Sequence, residues 1–75
     1  MLNHEAHDRE ADRLTQIFRL MQEQSEDLGY TGFDLSLQWY DNPYVGEILL
    51  FRRWRYGWER RRLEVMKERN EKLFA

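Results

Sequence analysis

At 75 residues the chain has room for one domain, and a single core of that size leaves only about 3–5 kcal/mol of stability unless something staples it. There is no cysteine, which excludes disulfides and thiolate metal sites, and the longest apolar run, Ile48 to Phe51, is too short to span a bilayer. The formal net charge of −2 hides a division: residues 1–51 carry three arginines against ten Asp and Glu, whereas residues 52–75 carry nine Lys and Arg against four Glu.

The polar, acidic start from Met1 to Glu10 has neither a basic leader nor an apolar stretch, so no secretory signal is expected and a cytoplasmic location is. Residues 4–28 read as a helix. Leu14, Ile17, Phe18, Met21 and Leu28 recur at three- and four-residue spacing, and Glu5, Asp8, Glu10 and Asp12 suit the positive end of a helix dipole. Gly29 is the expected stop.

From 29 to 42 the pattern changes. Phe33, Leu35, Leu37 and Trp39 alternate with Asp34, Ser36 and Gln38, which predicts an extended connection. Asp41-Asn42-Pro43 then offers either a turn into a second strand or a capped helix with Pro in its first turn. The consecutive Ile48, Leu49, Leu50 and Phe51 do not alternate, so the expectation is a helix over 43–73. Gly57 inside it costs about 1 kcal/mol relative to Ala, which calls for a close backbone approach or a kink there. The predicted fold is mainly α: one small two-helix, hairpin-like domain with an extended connection. An α-β-β-α arrangement, with a hairpin joining 33–39 to 45–54, is the alternative.

The densest chemistry lies in Arg52, Arg53, Trp54, Arg55, Tyr56, Gly57, Trp58, Glu59, Arg60, Arg61 and Arg62. Planar cations beside large aromatics suit nucleic acid or an acidic protein surface. Six arginines spread around a helix cannot all meet one surface, and the acidic first helix could neutralise several of them. Trp54 and Trp58, four apart, could stack on bases, but a chain this short needs tryptophans for its core. Tyr44 beside Pro43 reads as a packing residue or a partner contact. His4, His7 and Asp8 could share a helix face but lack a third strong ligand, so no metal is expected. No nucleophile has a base and an orienting partner, so no enzyme activity and no cofactor are expected.

Gly29-Tyr30, then Asn42-Pro43-Tyr44, then Trp54-Arg55-Tyr56-Gly57-Trp58 resemble, in order and nearly in spacing, the Gly-Tyr, Pro-Tyr and Trp-x-x-Gly-Trp elements of a bacterial family. That family comprises ribosome modulation factor and the CrpP-type proteins of chromosomes, plasmids and phages. The resemblance implies a small two-helix protein that binds the small ribosomal subunit and promotes ribosome hibernation, with no catalytic machinery. A fluoroquinolone phosphotransferase activity has been attributed to the CrpP branch, yet no glycine loop followed by Lys and Ser or Thr is present here. The chain departs from its strongly basic relatives in its acidic first helix, its longer C-terminal helix, and Phe33-Asp34 after the Gly-Tyr element.

The expected function is thus a non-enzymatic, ribosome-associated regulator of translation, contacting RNA or ribosomal protein through Arg52, Arg53, Arg55, Arg60, Arg61, Arg62, Trp54, Trp58 and Tyr44. The alternative is a protein-interaction inhibitor, phage-encoded, that binds a host protein through its acidic helix. A homodimer is compatible with either, and no membrane partner is expected.

Overall fold

The computed structural model describes the backbone of residues 2–74 and the side chains of residues 9–73. Two helices make up the fold, α1 (Leu2–Asp34) and α2 (Ile48–Phe74), joined by the connection 35–47, which holds one 3-10 turn at Trp39–Asp41. The chain is mainly α, as its apolar periodicity predicts, and no strand forms among the described residues.

Ser25 meets Leu50, Phe33 meets Trp58 and Asp34 meets Arg61. Positions that rise along α1 thus meet positions that rise along α2, and the two helices run in the same general sense. The connection allows this by doubling back beside them. The pair is staggered into a body of 65 × 27 × 15 Å, longer than the roughly 50 Å of α1 alone. The turns of α1 before Gln22 overhang one end, and the last turns of α2 project past the other.

The helices touch where neither has a side chain. A Cβ added to Gly29 would overlap the carbonyl of Trp54, and one added to Gly57 would overlap the carbonyl of Glu26. Two glycines at one crossing let the backbones come into direct contact, which offsets their low helix propensity. Ser25, fully buried, donates its hydroxyl to the Leu50 carbonyl at 2.6 Å. Around the crossing lie the buried apolar residues Leu50, Trp54 and Trp58. Phe33 meets Trp58 edge-on, with ring centroids 5.3 Å apart.

Three sequence expectations are corrected here. Gly29 does not stop α1; the helix continues to Asp34 because α2 needs that glycine for its approach. The alternation from Phe33 to Trp39 is not a strand. It spans the end of α1, a turn and the 3-10 segment. In that turn Leu37 N–H donates to the Gly32 carbonyl at 2.9 Å and Ser36 N–H to that of Phe33 at 3.0 Å, while Ser36 takes the left-handed φ of 67°. This is a Schellman ending with serine in the glycine position.

The third correction is that α2 starts at Ile48, not Pro43. Asn42, which ends the 3-10 turn, is not the N-cap of α2. It is buried, donates its amide to the Phe51 carbonyl at 2.9 Å and accepts from Tyr44 N–H at 3.1 Å, tying the connection to the first turn of α2. Gly57 is a site of close backbone approach, and α2 runs through it without interruption.

Candidate functional site

The arginine-rich turns of α2 sit against the last turns of α1, and that placement sorts the six arginines. Glu26, turned toward the seam, lies 3.6 Å from Arg53 and 3.3 Å from Arg60. Arg61 reaches Asp34 at 2.9 Å, Glu64 at 3.4 Å and Glu68 at 3.8 Å. Arg62 pairs with Glu59 one turn back, at 2.8 Å. The guanidinium groups of Arg60 and Arg61 lie 4.7 Å and 5.4 Å from the centre of the Tyr30 ring. Such pairs are each worth little at a surface, but Arg53, Arg60 and Arg61 bridge to Glu26, Tyr30 and Asp34 along the seam between the helices, whereas Arg62–Glu59 stays within α2.

Tyr30 completes the seam by donating its hydroxyl to Glu64. That bond raises the phenol above its ordinary pKa and, with Arg61 and Arg60 close by, holds the Glu64 carboxyl below the usual range. The hydrogen bond to Asp34 makes the Arg61 guanidinium still harder to deprotonate.

Arg52 and Arg55 are different. Both are exposed, and among the described residues neither has a carboxylate partner. Arg52 lies beside Leu49, Tyr56 and Gln22 in a shallow surface depression. Leu49, Arg52 and Tyr56 form a mixed basic and apolar face of α2 that reaches the edge of α1 at Gln22.

The remaining sequence-chosen residues belong to the fold. Trp54 and Trp58 are buried, and Trp58 donates its indole N–H to the Leu37 carbonyl at 2.8 Å, so neither ring offers a face to a base. Tyr44 is half-buried, in the turn held by Asn42. Glu10 and Asp12 of the acidic first helix are exposed, whereas among the described residues Glu26 and Asp34 are the α1 carboxylates that meet arginines. Sequence reading did not single out those two, although both lie within a turn or two of Gly29, which marks the crossing.

The side chains of His4, His7 and Asp8 lie outside the described residues, among which no group of metal-ligating side chains converges. A cleft of about 610 Å³ opens between the end of α1 and the later turns of α2, flanked by Asp34, Arg62 and Arg69. Asp34 is already held by Arg61, and no nucleophile with a base lines the cleft. Among the described residues no helix is long and apolar enough to cross a membrane. No family model matches the chain, and no curated protein or solved structure matches it either.

Proposed function

We propose that the chain is a non-enzymatic regulator that associates with the ribosome, similar to ribosome modulation factor, and contacts RNA or ribosomal protein through Arg52 and Arg55. The observation that supports it is where the three resembling elements meet. Gly29 lies under the Trp54 carbonyl, Gly57 under that of Glu26, and Asn42 is tied to Phe51, one turn before Trp54 and Arg55. Segments far apart in sequence thus form one structural unit. They hold the helix crossing together, while the proposed recognition side chains, Arg55 within the third element and Arg52 just before it, are exposed.

This reading narrows the basic footprint. Six free arginines on single-stranded RNA would give a salt dependence with a slope of about 4, and two give about 1.4. Arg53, Arg60, Arg61 and Arg62 serve the helix seam and their own helix, so their reversal would disturb folding as well as binding. The test is sedimentation with ribosomal particles, comparing the chain with its Arg52→Glu/Arg55→Glu variant.

A second reading, a protein-interaction module, is favoured by a separate observation. Leu49, Tyr56 and Leu63 are exposed on α2 together with Arg52, and this pattern suits insertion of a helix into a protein groove. Capture of a non-ribosomal protein that the Tyr56→Ala variant loses, with no movement of the chain into ribosomal fractions, would favour it.

A further inference from the structure

The turns of α1 that overhang the crossing carry an apolar face that nothing in the fold covers. Leu14, Ile17, Phe18 and Met21 are all exposed and line a shallow apolar depression. The first residues of α2 meet α1 at Gln22 and Ser25, on the C-terminal side of that face. An isolated helix of some 20 residues with few alanines is marginal in water, so this arm needs a covering surface to persist.

Size says how much surface is missing. A compact monomer of 9.4 kDa exposes about 5,000 Å², whereas this chain exposes 6639 Å². Its radius of gyration, 17.8 Å, exceeds the roughly 11 Å of a compact chain of this length. A specific protein interface buries about 800 Å² per partner, well within that excess.

We propose that the covering surface is a second copy of this chain, packed antiparallel along α1 over residues 10–28. The face is self-complementary. Leu14, Met21 and Leu28 are seven apart, with Ile17 between the first two, which is a coiled-coil spacing. With a two-fold axis near residue 19, Ile17 packs beside the partner's Met21, Phe18 beside the partner's Phe18, and Leu20 beside the partner's Leu20. Arg13 and Asp27 lie on the Leu20 edge, seven residues to either side of it. Both are exposed, and among the described residues neither has an ion-pair partner. The antiparallel register brings Arg13 to the partner's Asp27 on both sides of the axis, giving a closed, isologous contact. A parallel register would leave Arg13 about 20 Å along the axis from the partner's Asp27.

Sedimentation equilibrium of the full chain across a range of concentrations tests this, with buried-tryptophan fluorescence confirming that each variant keeps its helix crossing. The expected result is a monomer–dimer equilibrium that Phe18→Glu abolishes. Arg13→Asp and Asp27→Arg should each weaken it about tenfold, because symmetry counts every pair twice, and the double variant should restore it. A wild-type chain that stays monomeric at every concentration overturns the proposal and leaves the face to another protein. Single charge variants that dimerise as well as wild type, or a double variant that does not recover, overturn the antiparallel register. None of these outcomes depends on ribosome association, which the Arg52 and Arg55 variant reads separately.

Discussion

Gly29 and Gly57 face each other's helices at a crossing where α1 and α2 touch backbone to backbone: the first abuts the Trp54 carbonyl and the second abuts that of Glu26. A methyl group at either place must push apart two helices whose carbonyls cannot move independently. Gly29→Ala and Gly57→Ala are each expected to destabilise the fold by about 2 kcal/mol or more, despite the better helix propensity of alanine. Gly32→Ala should be much milder, because its new methyl would meet the mobile tip of Leu37 and the edge of Trp54 at 3.2 and 3.3 Å. Thermal melts followed by tryptophan fluorescence would rank the three.

Asn42 is buried and satisfies two backbone groups, so its replacement leaves the Phe51 carbonyl and the Tyr44 N–H short of partners. Asn42→Ala should cost about 2–3 kcal/mol. Asn42→Asp should be no better, since a carboxylate would face the Phe51 carbonyl. Urea unfolding of the two variants checks both expectations, and an Asp variant as stable as wild type would contradict the assigned bond.

Ser36 holds a left-handed backbone that serine adopts only at a cost. Ser36→Gly should therefore stabilise the chain by about 0.5–1 kcal/mol, while Ser36→Val should destabilise it. The midpoint of urea unfolding is the readout.

The Tyr30–Glu64 bond sets a pH window. Glu64 has its folded pKa depressed, so its contribution is present above the ordinary carboxylate value of about 4.3 and is lost as pH falls through the lower folded value. Tyr30 has its folded pKa raised, so its contribution is complete below the phenol's ordinary 10.0 and is lost as pH climbs through the higher folded value. Melting temperature against pH should fall at both extremes. Tyr30→Phe should flatten the alkaline fall and weaken the acid one, because Glu64 then loses its donor.

Much of this was legible in the sequence, and the errors share a cause. The apolar spacing from Leu14 to Leu28 located α1, and the scarcity of large aliphatics pointed to Trp54 and Trp58 as core, where both are found. Gly57 was readable as a close approach because nothing local explains a glycine inside a helix. Gly29 invited the opposite reading, since a glycine after the last apolar position is also how helices end. Only the arrival of α2 distinguishes the two cases. The alternation from Phe33 to Trp39 arose by chance across a helix end and a turn. For the basic surface, the sequence could show that six arginines must diverge, but which two stay free depends on Glu26 and Asp34 across the crossing.

That division of the arginines is the central claim, and sucrose-gradient sedimentation of cell lysate, at low and raised salt, tests it most directly. The account predicts that wild type co-migrates with ribosomal particles in a weakly salt-sensitive manner and that Arg52→Glu/Arg55→Glu stays at the top of the gradient while remaining folded. Wild type at the top of the gradient, or a folded double variant that still co-migrates, would contradict it.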